Sequence, residues 1–166
     1  MGLILNKTIQ KMIIGFPTVS DKYNVSGAML DGTYPVKFGD VVVAGTTAGC
    51  FAKPTAISAA TDVLGFVVGT NVKLAENWPG TTVQVNPGEA FNLLVNGFIA
   101  VELSGANVST TYIVPNGKVR VGATGALTTS NDTSSTYELP NVVFTGVYEN
   151  QGTAGSPKYV AEIYVK

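Results

Sequence analysis

Carboxylates are the side chains in this sequence with the clearest capacity for acid–base chemistry. The chain has 166 residues, of which 11 are Asp or Glu. A glycosidase needs only two carboxyl groups, about 5 to 9 Å apart, so a glycosidase or lyase acting on polysaccharide stays a possible class. Four carboxylates lie beside Gly or Asn in sequence typical of turns: Asp31, Asp40, Asp132 and Glu149. This placement favours turn-forming and surface roles, and we expect the chain not to be an enzyme.

Most other catalytic and metal sites require residue types that are absent or isolated here. There is no histidine, which removes the commonest general base and metal ligand. Cys50 is the only cysteine, so neither a disulfide nor a thiolate zinc site can form within one chain. The glycine-containing loop from Gly45 to Gly49 lacks the Lys-Ser/Thr pair of a phosphate-binding loop. These absences predict no catalytic residues, no cofactor and no metal.

The charge balance and hydropathy also narrow the choice of partners. Lys and Arg number 10 and the formal net charge is −1, so the chain has no basic stripe that would bind nucleic acid. No apolar run approaches the roughly 18 residues that a membrane span requires. The apolar runs near the N-terminus are too short for a secretion signal, and Lys7 and Lys11 interrupt that region. We therefore expect synthesis in the cytoplasm and no contact with membrane or nucleic acid.

The elements that must position any functional residue are strands separated by turns. Val and Thr are abundant, and Gly (19) and Pro (8) supply frequent turn signals. Strands are predicted at 25–30, 41–43, 50–52, 63–68, 81–85, 90–103, 118–121, 141–148 and 158–165. Many short strands at this spacing predict an all-β single domain over residues 21–166, either a barrel or a sandwich. Within 90–103, Asn96-Gly97 predicts a tight hairpin or a bulge. The polar residues 128–137 predict an exposed loop.

A weak internal repeat accompanies these strands. Residues 39–51 resemble residues 117–127 when a gap of two residues is allowed, and similar strands follow at 64–67 and 145–148. A glycine in the middle of each following strand predicts a bulge or a close backbone approach. Two such units facing each other would make a barrel or sandwich from duplicated halves. The alternative is coincidence in a chain rich in Gly and Val.

Residues 1–20 form a separate compositional block that is rich in Ile, Leu and Met. Helical spacing and a short strand both fit its pattern, so it is either a core element that closes the domain or an arm that docks on another subunit. Trp78 lies in a Pro-Gly loop, where it either covers the end of the domain or anchors a partner. The candidate interface residues are Leu3, Ile4, Leu5, Ile9, Met12, Ile13, Phe16 and Trp78.

Three stretches carry a resemblance to a known family: FGDVVVAG (38–45), DVLGFVVG (62–69) and PGEAFNLLVNGFIAV (87–101). Over about residues 25–105 the chain resembles the capsid cement, or head decoration, proteins of tailed double-stranded DNA phages. The resemblance implies a non-enzymatic virion protein on the outer surface of the expanded capsid. It also implies that the protein staples adjacent major capsid subunits as a homodimer or homotrimer. A jelly-roll-like barrel or a tulip-like β fold would then be expected.

A binding module of another kind is the second hypothesis. A carbohydrate-binding β module of a phage tail or surface structure would share the all-β composition and the lack of catalytic groups. Such a module would present clustered aromatic side chains, for which Trp78 and a few tyrosines are the candidates.

Overall fold

A computed structural model of the chain describes residues 12–18, 23–69 and 84–166, and its regular structure is almost entirely β-strand. The strands are β1 (Tyr23–Met29), β2 (Val36–Lys37), β3 (Val41–Ala44), β4 (Phe51–Ala52), β5 (Gly65–Val68), β6 (Gln84–Val85), β7 (Ala90–Leu103), β8 (Lys118–Gly122), β9 (Leu127–Thr129), β10 (Thr136–Asn150) and β11 (Tyr159–Val165). Short 3-10 turns lie at Ala60–Asp62 and Thr110–Tyr112. Within these ranges no helix has the length and hydropathy needed to cross a bilayer. The prediction of an all-β single domain is confirmed, whereas the jelly-roll connection stays a prediction.

The long strand β7 organises the molecule because it pairs on both edges. Leu94 faces Val25 of β1 on one edge and Phe66 of β5 on the other. Further along, Gly97 faces β1 on the first edge and Val165 of β11 on the second. Strands β5 and β11 therefore follow one another along the same edge of β7, and the sheet parts between them. The resulting order is β4-β3-β5-β7-β11-β10-β8-β9, with β1 on the opposite edge of β7.

The sheet splits at the Asn96-Gly97 pair. The register against β1 shifts between Asn24 and Val25, where β7 has the extra residue Val95. Gly97 has a φ of 129°, a backbone conformation that glycine adopts far more readily than other residues. Of the two predicted alternatives, the structure has the bulge and not the hairpin.

The internal repeat is a structural repeat. Strands β3 and β4 form an antiparallel hairpin and β5 returns to pair with β3, while β8 and β9 form a second hairpin and β10 returns to pair with β8. A Cβ atom at Gly65 would lie 2.7 Å from Cδ1 of Leu93, and one at Gly146 would lie 2.8 Å from Cδ of Pro115. Both glycines therefore permit close approaches, as predicted, and Gly146 also lies in a register shift of β10.

Two hydrophobic cores lie on opposite faces of the first half of the sheet. The main core fills the inside of the curled sheet and includes Phe66, Leu94 and Phe144. The second core, which includes Val42, Val67 and Phe91, lies beneath the small β2–β6 ribbon. Because β3 and β5 are buried on both faces, their sequences are continuous apolar runs and do not alternate.

Residues 12–18 lie along β7 on the same edge as β1. Gly15 N donates to Ala100 O (2.7 Å), Ala100 N donates to Phe16 O (3.2 Å), and Pro17 forms an isolated bridge with Ile99. This part of the N-terminal block is therefore packed against the β domain. The boundary predicted at residue 20, and the arm assigned to residues 1–20, stay predictions.

The prediction of an exposed loop at 128–137 holds for residues 131 and 133–135 and is wrong for Thr128, Thr129 and Asp132. Thr128 and Thr129 belong to β9 and are fully buried, and Asp132 is 5% exposed. Ser109 N donates to the Thr129 hydroxyl (3.0 Å), and the Thr128 hydroxyl donates to Asp132 Oδ2 (3.4 Å). Polar side chains are buried at low cost when they are hydrogen-bonded, so composition alone could not place these residues.

Candidate functional site

Asp31 and Asp62 hold loops in place through hydrogen bonds from backbone and hydroxyl groups. Asp31 accepts hydrogen bonds from Thr47 N (2.7 Å), the Thr46 hydroxyl (2.7 Å) and Gly32 N (2.6 Å). These donors, led by the Thr47 amide, hold the pKa of Asp31 well below its usual value. Among the residues that the structure describes, no group of three or more His, Cys, Asp or Glu is placed to hold a metal ion.

The pKa of Asp40 is shifted in the opposite direction from that of Asp31. Burial raises its pKa, although Lys37 N donates to its Oδ2 at 2.9 Å. It lines a polar pocket of about 210 Å³ together with Lys37, Lys53 and Thr124. Glu102, whose charge also raises the pKa of Asp40, forms an ion pair with Lys158 at 3.1 Å. Among the described residues that line the pocket, two are lysines and Asp40 is the single carboxylate, so these residues do not form the facing carboxylate pair of a glycosidase.

The outer edge of β1 is the most prominent open feature. β1 pairs with β7 along one edge, and no described residue pairs with its other edge from Val25 to Met29. Leu30 N donates inward to Glu89 O (3.0 Å), whereas Asp31 N donates outward to Phe51 O (2.6 Å). Because peptide groups alternate in direction along a strand, the backbone groups of residues 25, 27 and 29 point outward. This edge therefore offers backbone donors and acceptors to another chain, and among them Gly27 O accepts a long hydrogen bond from the Ser26 hydroxyl (3.4 Å).

The side chains of this edge strand are apolar or small. Val25 is 41% exposed and Met29 is 49% exposed. They share one face of the sheet because β-strand side chains alternate. Residues 23–29 carry no charge and include no proline, although natural edge strands are commonly protected by proline or by a charged residue such as lysine. We call this strand, with its outward-directed backbone groups, the β1 edge.

An apolar groove lies nearby, where β5 and β11 part. It has a volume of about 240 Å³ and is lined by residues from the first 3-10 turn, the start of β5, the middle of β7, the first half of β10 and the end of β11. Leu64 (48% exposed) and Val95 (52% exposed) contribute to it. Leu94, which faces Val25 of β1 in the register, lines the groove as well. Exposed apolar side chains therefore occur at two places, Val25 and Met29 on the β1 edge and Leu64 and Val95 at the groove, with the buried Leu94 between them.

The predicted interface residues fall into two groups. Leu3, Ile4, Leu5, Ile9 and Trp78 lie outside the described residues. Met12 is half-buried, with its N donating to Glu149 Oε1 (2.9 Å), and Ile13 is 52% exposed. The ring of Phe16 packs edge-on against Phe38 (5.9 Å between centroids), beside the second core. Of the described candidates, Ile13 is the one that offers a free apolar side chain.

Sequence reasoning did not single out the β1 edge or the groove. It predicted a strand at 25–30 but gave no indication of which edge of that strand would be covered. One signal was present in the sequence: no charged residue occurs between Lys22 and Asp31, in a region predicted to be a strand. Val95 could not be identified, because its exposure depends on the bulge and on the parting of β5 and β11.

Comparison with known proteins gives one match. The model of a protein family described as structural cement protein (E217 gp24/Pam3 gp6) matches residues 5–164. The match spans β1 to β10 entirely and nearly all of β11, together with most of the N-terminal block. No curated protein matches the chain.

Proposed function

We propose that this chain, which belongs to the structural cement protein family, binds the outer face of the expanded phage capsid and holds adjacent major capsid subunits together. Stabilising the capsid is the role that defines the family, so the protein is a structural component of the phage virion. The outer face, the expanded state and the bridging of adjacent subunits are our extension of that role.

The family match over residues 5–164 is the observation that carries this proposal. A protein that binds only the assembled, expanded shell stabilises it by its own binding free energy, and many copies add their contributions. Such a protein needs contact surface and a rigid framework. The exposed apolar side chains of the β1 edge and of the groove are candidates for the former, and the two cores provide the latter.

We further propose a purely structural, non-enzymatic role without nucleic acid, in which the protein associates with itself as a homodimer or homotrimer. The near-balanced charge of 10 basic against 11 acidic residues supports contact with protein and offers little attraction to nucleic acid. Of the arm predicted over residues 1–20, we propose residues 1–11 as the part that contacts the capsid, with Leu3, Ile4, Leu5 and Ile9 as its apolar contacts, because Gly15 and Phe16 pack against the β domain. Trp78 and Ile13 remain proposed contacts.

The test is to add purified protein to expanded heads that lack it. We expect saturable binding, ordered density on the outer surface by cryo-electron microscopy, and a higher temperature of shell disruption. Unexpanded shells are the control, to which we expect little binding. Binding to neither shell, or density on the inner surface, would refute the proposal.

A truncation tests the arm separately. Because Gly15 and Phe16 pack against the β domain, the deletion should remove residues 2–11 and leave residues 12–18 in place. We expect the truncated protein to keep its unfolding temperature and to lose occupancy on expanded heads. Unchanged occupancy would show that the arm is not a capsid contact.

The carbohydrate-binding alternative is not favoured by the family match. The exposed tyrosines of the described ranges stand on three separate elements, at Tyr34, Tyr112 and Tyr148, and none of them stacks on another ring. A glycan array is the direct check, and we expect no binding at micromolar concentration.

A further inference from the structure

We propose that the β1 edge pairs with the β1 edge of a second copy of this chain, antiparallel and across a two-fold axis at Gly27. The result would be one continuous sheet through two molecules. This inference deepens the self-association included in the proposed function, because it names the surface that joins the copies.

The backbone fits this pairing. Residues 25, 27 and 29 have their N–H and C=O groups directed away from β7, as the inward bond of Leu30 and the outward bond of Asp31 establish. In an antiparallel pair related by a two-fold axis, residue i faces residue j with i + j constant and even, because facing side chains must share one side of the sheet. A pairing centred on Gly27 places Gly27 opposite Gly27 and Val25 opposite Met29 of the second copy. All of these pairs join outward-directed peptide groups.

The side chains favour a second copy as the occupant. A two-fold pairing brings the charges of a strand close to their own copies, and like charges facing each other are destabilising. Residues 23–29 carry no charge, so this cost does not arise. Val25 and Met29, both exposed and on the same face, would meet Met29 and Val25 of the second copy. Four apolar side chains that are exposed in the monomer would then form one patch.

The centre of the strand has room for the approach. A Cβ atom placed on Gly27 meets nothing within 4 Å. Ser26 and Ala28, its neighbours, are small. Pairing of two seven-residue strands buries less area than the roughly 1,200 Å² of a stable interface, so we expect weak association in solution. Association should strengthen on the capsid surface, where the local concentration of copies is high.

Disulfide capture tests the register. In a Cys50→Ala background, which removes the only cysteine, Gly27→Cys places two thiols across a hydrogen-bonded pair with about 5.5 Å between Cα atoms, within the range of a disulfide. Ser26→Cys is the matched control, because in this register the two Ser26 Cα atoms lie about 8 Å apart. We expect oxidation to give a covalent dimer with Gly27→Cys and little with Ser26→Cys. Equal cross-linking of both variants, or none with either, would overturn the pairing.

Charged substitutions at Val25 and Met29 test whether a second copy of the chain occupies the β1 edge. Val25→Lys with Met29→Lys places two pairs of like charges across the axis, whereas Val25→Lys with Met29→Glu places two opposite pairs. By sedimentation velocity, we expect the Lys/Lys variant to self-associate at least about tenfold more weakly than the parent chain, and the Lys/Glu variant to recover. A capsid strand seated on the β1 edge gives no reason for that recovery. Loss of self-association in both variants would therefore overturn the second copy as occupant.

These measurements use the isolated chain, so they separate this inference from the proposed function. Gly27→Pro removes an outward N–H without touching the bonds to β7, and Gly27→Ala keeps that N–H. We expect the Pro variant to fold, stay monomeric and lose occupancy on heads, and the Ala variant to behave as the parent. A folded Gly27→Pro variant that self-associates as the parent does would overturn the inference and, if it still decorates heads, leave the capsid-binding function standing. A dimer that binds no shell would refute the function and leave the pairing standing.

Discussion

Strands β1 and β9 both lie at the margin of the sheet, and the fold treats them in opposite ways. Ser104 N and Gly105 N both donate to Leu127 O of β9 at 3.0 Å, and Ser109 N donates to Thr129. Every residue of β9 is buried. β1 has no such cover from any described residue, and the side chains of Val25 and Met29 are exposed.

The difference shows that this chain protects one edge strand of its sheet and leaves another without protection from the described residues. A bare edge invites pairing with other chains, and natural proteins usually prevent this. The residues that follow β7 cover the β9 edge. No equivalent segment covers the β1 edge in the described part of the chain, and no charge blocks it. In a protein that acts by holding neighbours together, the covered edge supports folding and the open edge is available for assembly.

The largest expected contrast is between apolar side chains of the two strands. Leu127→Ala in β9 should lower the free energy of unfolding by about 2–5 kcal/mol, because Leu127 is 2% exposed and its removal leaves a cavity. Met29→Ala in β1 should cost less than about 1 kcal/mol, because Met29 is 49% exposed. Urea unfolding followed by circular dichroism measures both. Similar losses would show that β1 is packed as tightly as β9.

A pair of glycines gives the next contrast. A Cβ atom at Gly105 would collide with Cβ of Thr128 and lie 2.7 Å from its Oγ1, so Gly105→Ala should cost about 1–3 kcal/mol. Gly27→Ala meets open space and should change the free energy of unfolding by no more than about 0.5 kcal/mol. The same urea experiment compares the two substitutions. A tolerated Gly105→Ala would mean that the cover of β9 is loose.

A smaller effect concerns pH. Just after β1, ionised Asp31 holds the loop at Thr47 by accepting a hydrogen bond from its amide. The β9 strand is held differently, because Leu127 O accepts hydrogen bonds from neutral peptide groups. Because the folded-state pKa of Asp31 is lowered, its contribution to stability is fully present above the unfolded pKa of 3.8 and is lost as the pH falls below it. We expect Asp31→Asn to be less stable than the parent at pH 7, with the difference shrinking as the pH falls from 3.8 toward 2.

Hydrogen exchange locates that pH effect. Lowering the pH should reduce the protection of the Thr47 amide, which donates to Asp31, before that of the Gly105 amide. Protection factors, corrected for the intrinsic pH dependence of exchange, provide the comparison. A stability difference between parent and Asp31→Asn that persists unchanged at pH 2 would contradict this role for Asp31.

The sequence predicted the limits of the strands better than it predicted which strands lie side by side. The apolar run 90–103 is bounded by Pro87-Gly88 and Ser104-Gly105, and it forms β7 with the predicted limits. The internal repeat predicted two hairpins with returning strands, because local glycine and strand patterns encode them. Local patterns do not encode which strand lies beside which. The open edge of β1 depends on contacts with β7, more than sixty residues away in sequence.

The surroundings of the candidate site depend on the same distant contacts. Phe16 stays a predicted interface residue, and its ring packs on Phe38 of its own chain, a contact that the sequence did not indicate. Thr128 and Thr129 were assigned to the surface because they are polar, but Ser109, Asn131 and Asp132 supply their hydrogen bonds. The type of a residue gives its polarity, whereas its burial depends on partners elsewhere in the sequence.

The finest contrast lies within β1 and changes no global stability. The amides of Val25, Gly27 and Met29 point outward, and those of Ser26 and Ala28 point toward β7. We expect alternating fast and slow amide exchange along β1 in dilute protein, measured by NMR, and uniformly slow exchange along β9. At high protein concentration or on the capsid, the outward amides should become protected, because a hydrogen-bonded partner strand closes them to solvent. Outward amides that are already slow in dilute monomer would show that the chain itself covers the β1 edge, and the contrast between the two strands would then be lost.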